Sequence, residues 1–256
     1  MRHFYADDGR ILTPPQELQP QLKDSFQAFS ELLGLIRFFY IADEIWDGKS
    51  SLVFNSRGEK LAAILLNDGF FIVHIGEEKI VVIDETALDS VLEKLEETAS
   101  PDSCRPNEQL LIPLNDPNQF PCGRRCDLCL GSKKSDERNY SQSENFGYMN
   151  WVCYHNCLPG IEVTRWDGVF NCPGCVEMRK TKDCKYFPCP TKKAYSNCVE
   201  CGEYHSCKIF SDCHEPCQCN LGITAEEVTN LVIPYASKER LDILSLTCSR
   251  TVDNSL

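Results

Sequence analysis

The chain has 256 residues, of which 42% are hydrophobic, so it is long enough for two ordinary domains with apolar cores. It carries 26 Lys and Arg against 38 Asp and Glu, a formal net charge of −12, which makes nucleic acid an unlikely partner. The first residues lack the apolar segment of a secretory signal, and no run approaches the length of a membrane span. We therefore expect a soluble, cytoplasmic protein that does not associate with membranes.

The first predicted element is an amphipathic helix. Proline is tolerated only in the first turn of a helix, so the regular part is predicted to begin near Pro20. Gly34 is placed to end it in a left-handed cap. The apolar stripe has spacings of three or four and consists of Leu18, Leu22, Phe26, Phe29 and Leu33.

Short β-type runs separated by turn residues follow this helix. Turn sequences such as N-S-R-G and N-D-G are typical of hairpins, so the simplest arrangement is an antiparallel meander of four or five strands. The segment T-A-L-D-S-V-L-E-K-L then predicts a closing helix with Thr86 as its N-cap. Helices on an antiparallel sheet define an α+β fold. The predicted strands are L-I-R-F-F-Y-I-A, S-L-V-F, K-L-A-A-I-L-L, F-F-I-V-H-I and K-I-V-V-I-D.

No feature of this half favours an enzyme. The loop A-D-E-I-W-D-G places three carboxylates around Trp46, and exposed charge is the usual state of such residues, so we interpret it as a solvated turn. A Gly-rich phosphate loop and a G-x-S-x-G elbow are both missing from the sequence. We expect a module that binds a protein partner. The three carboxylates are Asp43, Glu44 and Asp47.

The cysteines are concentrated in the second half. Of 17 in the chain, only Cys104 precedes Cys122 and only Cys248 follows Cys219. In a reducing cytosol, closely spaced cysteine pairs are more often metal ligands than disulfides. Charge changes at the same place, from a net −11 over residues 1–121 to −1 over 122–256. We therefore predict a small α+β domain over residues 1–117 and a cysteine-rich metal-binding domain over residues 118–256.

The spacing of these cysteines predicts thiolate metal sites. C-P-G-C at 172–175 and C-V-E-C-G at 198–202 are suited to tight turns that direct two thiolates at one ion, and His155, His205 and His214 are weaker candidates. Four cysteines, those of the two C-x-x-C pairs, form one plausible tetrahedral site. The candidate ligands are Cys122, Cys126, Cys129, Cys153, Cys157, Cys172, Cys175, Cys184, Cys189, Cys198, Cys201 and Cys207.

Zinc is the favoured metal, and an iron–sulfur cluster is the alternative. Both use four thiolates, but the cysteine comb of bacterial ferredoxins is missing from the sequence. The C-x3-C-x2-C motif at Cys122 is also close to the cluster motif of radical S-adenosylmethionine enzymes. Leu128 stands where those enzymes commonly have an aromatic residue, and the following 127 residues contain many further cysteines. A structural site is therefore favoured, and soft-metal sensing or storage ranks lower.

The C-terminal segment predicts two helices interrupted at Pro234. Thr224 and Glu227 have the spacing of a capping box. We expect these helices to pack over the cysteine turns and to supply much of the apolar core of that domain.

The cysteine motifs together resemble a family of bacterial and archaeal cysteine-rich domains of unknown function. The resemblance covers roughly residues 120–215 and includes C-G-x-x-C-x-x-C, C-P-G-C and C-V-E-C. It implies metal at the cysteines of those three motifs in a cytosolic prokaryotic protein. Cys153, Cys157, Cys213, Cys217 and Cys219 depart from the family pattern. The first half is loosely similar to another uncharacterised bacterial α+β family.

Overall fold

The chain divides into two compact units, and both of them are discontinuous in sequence. Met1–Pro106 and Gln218–Thr229 form the first unit, and Asn107–Cys217 and Asn230–Leu256 form the second. The first unit therefore includes a segment that the sequence assigned to the second domain, and the predicted boundary at residue 117 lies outside the described residues. A computed structural model describes residues 4–5, 9–13, 15–110, 198–207, 221–233, 236 and 238–245.

The first unit has the predicted α+β fold, built on a five-stranded antiparallel sheet in the order β3-β4-β5-β6-β7. A separate pair, β1 and β2, is also antiparallel. The strands are β1 Phe4–Tyr5, β2 Ile11–Leu12, β3 Asp43–Trp46, β4 Ser51–Ser56, β5 Glu59–Asn67, β6 Phe70–Ile75 and β7 Glu78–Val82. The α-helices of residues 15–110 are α1 Gln19–Leu22, α2 Phe26–Phe39, α3 Leu88–Thr98 and α4 Asn107–Leu110, the last of which falls in the second unit.

The core lies between one face of the sheet and the helices α2 and α3. In β4 and β6 every second side chain is buried, which is the alternation that predicted these strands. Phe29 of α2 packs edge to face on Phe71 of β6, with ring centroids 5.8 Å apart. Val91 and Leu95 of α3 are fully buried in the same cluster. Burial of these side chains is the main favourable term in the stability of the first unit.

Helix α2 begins later and ends later than predicted. Lys23 adopts a left-handed φ of 52° after the short helix α1, so the long helix begins only at Phe26. It then passes through Gly34 and ends at Phe39, which overturns both the predicted stop at Gly34 and the predicted strand L-I-R-F-F-Y-I-A. Leu33 and Ile36 are buried on the same face of this helix. Continued burial of that face outweighs the cost of about 1 kcal/mol for a glycine inside a helix.

The loop interpretation of A-D-E-I-W-D-G was also wrong. Residues Asp43–Trp46 form the edge strand β3, and Glu44 is 4% exposed rather than solvated. Glu44 forms a bidentate ion pair with the buried Arg37 of α2, in which Nη2 lies 2.8 Å from Oε2. A single arginine in an otherwise apolar helical run was the signal in the sequence for this pair. Asp47 does occupy a turn, where its carboxylate accepts the backbone N–H groups of residues 49–51.

The segment 221–229 returns to the first unit and covers the β3 edge. The N–H of Glu44 donates to the carbonyl of Ile223 at 2.9 Å, and the N–H of Gly222 donates to the Glu44 carboxylate at 3.2 Å. Arg10 forms a bidentate ion pair with Glu227 at 2.8 and 2.9 Å. We call residues 221–229 the strap, because the carbonyl of Ile223 accepts a backbone N–H of an edge strand that would otherwise be open to pairing.

The strap is held at its far end by a buried arginine. Nη1 of Arg105 donates to Oγ1 of Thr229 at 2.8 Å, and Nε donates to the carbonyl of Arg37 at 3.0 Å. Burial lowers the pKa of Arg105 to about 10, so the guanidinium remains charged at neutral pH. Both ends of the strap are thus tied to the first unit by side chains that are distant in sequence.

Of two helix caps predicted from the sequence, one is present and one is wrong. The predicted capping box is present, with Oγ1 of Thr224 accepting from the N–H of Glu227 and the Glu227 carboxylate accepting from the N–H of Thr224. The predicted N-cap Thr86 is wrong. Asp84 caps that segment instead, by accepting from the N–H and hydroxyl of Thr86.

The C-terminal part of the chain is helical on both sides of the predicted break. The capping box opens a short helix, Ala225–Glu227, which continues as a π-helix over Val228–Val232. Residues 238–245 form a further helix. Pro234, the predicted break, lies outside the described residues. Within the described ranges, no helix is both long and apolar enough to cross a membrane.

Candidate metal centre

The described part of the cysteine-rich half contains a regular series of tight turns between Cys198 and Cys207. The N–H of Cys201 donates to the carbonyl of Cys198 at 3.1 Å. The N–H of Tyr204 donates to Cys201 at 2.9 Å, and the N–H of Cys207 donates to Tyr204 at 3.2 Å. Segments Cys198–Glu200 and Tyr204–Ser206 are 3₁₀ turns. Side chains three residues apart in such turns lie on the same side, so the backbone brings Cys198 and Cys201 to one side.

Tyr204 anchors these turns. It is 5% exposed and forms an apolar cluster with Leu241 and Leu244, against which Cys198 and Cys207 pack. The Tyr204 hydroxyl donates to Oδ1 of Asp242 at 2.8 Å, and burial together with this bond raises the pKa of the phenol. The prediction that a C-terminal helix packs on the cysteine turns is therefore confirmed for residues 238–245 and 198–207.

The anchoring helix is fixed in turn by Arg240, whose role the sequence did not indicate. Arg240 has no exposed surface, and its guanidinium donates to three backbone carbonyls. Nε donates to Leu110 at 2.5 Å, Nη2 donates to Ile233 at 2.7 Å and Nη1 donates to Ala236 at 3.1 Å. A charged side chain in an amphipathic helix usually indicates the solvent face, so its burial could not be inferred from the pattern.

The donor set of this turn fits a soft cation. Cys198, Cys201 and Cys207 are half-buried, and Cys198 and Cys207 pack against the apolar cluster. Residues 198–207 contain two Glu and neither Lys nor Arg. Ionised thiolates here would therefore add to a local excess of negative charge, which a bound Zn²⁺ ion would offset. The glycine of C-V-E-C-G has no steric explanation, because a Cβ at Gly202 would meet nothing within 4 Å.

The structure places three of the twelve predicted ligands and does not place the others. Within the described residues, no group of three or more His, Cys, Asp or Glu could hold a metal ion. His205 is exposed, and its ring centroid lies 4.8 Å from that of Tyr204. A complete site built on Cys198 and Cys201 would therefore require ligands from outside the described residues. Eleven candidates lie outside the described residues: Cys122, Cys126, Cys129, Cys153, Cys157, Cys172, Cys175, Cys184, Cys189, His155 and His214.

The described residues form an α+β unit and, at residues 198–207, tight turns within a cysteine-rich segment. Residues 119–212 of that segment match the family model described as a protein of unknown function, DUF3795. The expected resemblance to an uncharacterised domain family is confirmed to that extent, and the cysteine signature as a property of the family stays a prediction. All twelve predicted ligands fall inside the matched range, whereas Cys213, Cys217 and Cys219 follow it. No curated protein and no solved structure matches the chain.

Proposed function

We propose that the cysteine-rich segment binds zinc through cysteine thiolates and that the metal is mainly structural. The observation that carries this proposal is the turn series at Cys198, Cys201 and Cys207. Its hydrogen bonds run at intervals of three residues, and this spacing puts the first two thiols on one side. Four-coordinate structural zinc sites are commonly built from two such pairs of thiolates. Zinc binding needs reduced, deprotonated thiolates, so the proposal also implies a reducing compartment such as the cytoplasm.

The apolar cluster around these turns is small. Among the described residues, it has three buried members: Tyr204, Leu241 and Leu244. Three side chains contribute only a few kcal/mol by burial, less than the conformational entropy lost when the turns are ordered. A structural zinc ion supplies on the order of 10 kcal/mol per site and closes that deficit.

The proposed division of ligands has two parts. Cys198 and Cys201 share one ion with Cys172 and Cys175, and Cys184 and Cys189 compete for that position. The opening motif supplies three thiolates to a second ion, with a fourth from Cys153 or Cys157. Both sets have the four thiolates that zinc takes in structural sites, and an iron–sulfur cluster would use the same number.

A matched pair of cysteine variants tests this proposal. Protein is purified without oxygen, and its zinc, iron and visible spectrum are measured. We expect colourless wild-type protein with stoichiometric zinc, and Cys198→Ser/Cys201→Ser should lose about one zinc ion per chain, because one pair of thiolates holds half a tetrahedral site. Cys104→Ser is the control, since that thiol is exposed in the first unit. Brown protein that contains iron would show that the thiolates bind an iron–sulfur cluster and not zinc. An unchanged zinc content in the double variant would refute the assignment of Cys198 and Cys201 as ligands.

A further inference from the structure

Exposed apolar side chains are concentrated on one face of the five-stranded sheet. Among the described residues, four large apolar side chains are exposed. Three of them, Ile45 of β3, Leu65 of β5 and Val81 of β7, are 55%, 38% and 51% exposed and alternate with the core-facing residues of their strands. The fourth, Ile83, directly follows β7 and is 61% exposed. We call the side of the sheet opposite to the core the outer face.

The outer face carries a continuous apolar row. Leu65 pairs with Ile72 and Ile72 pairs with Val81, so the three side chains lie next to one another across β5, β6 and β7. Helices α2 and α3 bury their apolar side chains against the opposite face. An antiparallel sheet whose second face meets only water normally carries polar residues there. The apolar row therefore indicates that the outer face contacts another surface.

Charged residues of opposite sign lie at the two ends of the outer face. On β5, Lys60 lies near the first end of the strand and Asp68 directly follows its last residue. On β7, Lys79 and Asp84 are placed in the same way. These two strands run in the same direction, because each is antiparallel to β6 between them. Both lysines therefore lie at one end of the face and both aspartates at the other, and neither lysine forms an ion pair with a described residue.

This arrangement is complementary to itself. A second copy, turned by half a turn about an axis along the row of Leu65, Ile72 and Val81, would lay its own row on the first. The same rotation reverses the strand direction, so Lys60 of each copy would approach Asp68 of the other, and the charged pair of β7 would meet in the same way. An apolar centre with a charged rim is the usual anatomy of a protein interface.

We propose that the outer face is an interface between two copies of this chain, packed sheet on sheet. Sheets that pack face to face lie about 10 Å apart, a gap that apolar side chains fill and that a lysine at the rim can span. The chain has a formal net charge of −12, which opposes the approach of a second copy, so the lysine–aspartate pairs of the rim contribute to the affinity. The proposal does not rest on metal binding, because every residue that it uses lies in the first unit.

The first test measures the oligomeric state of the full chain by sedimentation over a range of concentrations. The wild type should form a dimer whose fraction rises with concentration. Leu65→Lys should raise the dimer Kd at least about tenfold, because the two new lysines would meet at the centre of the apolar row. Ser90→Lys is the matched control. It adds the same charge at an exposed position of α3, which packs on the other face, and it should dimerise like the wild type.

A charge exchange tests the orientation of the two copies. Lys60→Asp should raise the dimer Kd about fivefold, because it opposes Asp68 of the other copy at two symmetric places. Lys60→Asp/Asp68→Lys should restore the wild-type Kd. Asp68 also pairs with Lys23, but the side chains of that pair are 78% and 56% exposed, so its loss should change the fold little. Circular dichroism checks that each variant keeps its sheet.

Four results would overturn the proposal. The wild type could remain a monomer at its highest soluble concentration, or Leu65→Lys could dimerise as well as the wild type. Ser90→Lys could weaken the dimer as much as Leu65→Lys, which would show a general effect of charge. The double variant could fail to recover the loss in Lys60→Asp, which would exclude the antiparallel arrangement of the two sheets.

Discussion

The two described regions of this chain are stabilised in different ways. In the first unit, two helices bury a continuous apolar face against a five-stranded sheet, and the buried ion pair of this unit is bidentate. Around Cys198–Cys207, short turns rest on a cluster of three buried side chains, held by one tyrosine and one buried arginine. We propose that the first unit holds its fold through packing, whereas the cysteine turns depend on a metal ion that their thiolates would bind.

The order of the segments along the chain also links these two regions. The strap returns to the first unit immediately after the last closely spaced cysteines, Cys217 and Cys219. In sequence, residues 107–217 are therefore a long insertion between the two parts of the first unit. Closing a long loop costs little more than closing a medium one, so the insertion is compatible with a stable first unit whatever the state of its thiols.

The largest expected effect is on the first unit. Arg37→Ala leaves the buried Glu44 carboxylate without its guanidinium partner, which should lower the free energy of unfolding by about 3–5 kcal/mol. Urea denaturation followed by the circular dichroism of the sheet measures this change. Hydrogen exchange at the amides of Tyr204 and Cys207 should stay the same, because Arg37 acts within the first unit.

Two controls separate this effect from a general loss of charge. Arg37→Met/Glu44→Leu removes both buried charges and should recover most of the stability. Lys23→Ala removes an ion pair with Asp68 whose side chains are 56% and 78% exposed, so it should change little. Equal losses in Arg37→Ala and Lys23→Ala would show that the buried pair is not what holds α2 to the β3 edge.

A smaller effect is expected at the strap. Burial alone would raise the pKa of Glu227, but the Arg10 ion pair and the N–H of Thr224 outweigh it and hold that pKa below its ordinary value of 4.5. A carboxyl whose pKa is lowered by folding stabilises the fold above its unfolded pKa, and this contribution is lost as pH falls through the folded value. Stability should therefore fall as pH decreases below about 4.5.

Glu227→Gln keeps the size of this side chain and removes the charge that titrates. Between pH 6 and pH 3, the variant should lose less stability than the wild type. The difference should be at most about 1 kcal/mol, because the Arg10–Glu227 pair is partly exposed. Urea midpoints at the two pH values provide the measurement. Glu93→Gln, a substitution at an exposed residue of α3, serves as the control. If both variants follow the wild-type pH dependence, the strap is not held by the Arg10–Glu227 pair.

Most of the sheet could be predicted from sequence, because its signals are local. Alternating apolar residues and the turn residues between strands identified β4 to β7 in the correct order, whereas β3 was interpreted as a turn and one strand was predicted inside α2. The helix stop at Gly34 failed because a local cap preference of a fraction of a kcal/mol competes with burial of several side chains in the core. A local sequence pattern thus predicts secondary structure reliably where burial in the core favours the same structure.

Long-range pairing could not be predicted in the same way. Glu44 and Gly222 are 178 positions apart, and nothing in the sequence of either segment indicates that a carboxylate and a backbone N–H meet. The cysteine turns could be predicted only in part. Spacing predicted the pair at Cys198 and Cys201, whereas the anchors Asp242 and Arg240 depend on a helix packed from further along the chain. An interaction of the first unit with a protein partner stays a prediction.

Hydrogen exchange on the full chain before and after removal of metal would show whether metal, and not packing, holds the cysteine turns. Reduced, oxygen-free protein is treated with a zinc chelator, and amide protection is compared in both regions. We predict that the amides of Cys201, Tyr204 and Cys207 lose protection, whereas those of β5 and β6 keep it. Unchanged protection of the three turn amides in metal-free protein would show that packing, and not metal, holds these turns.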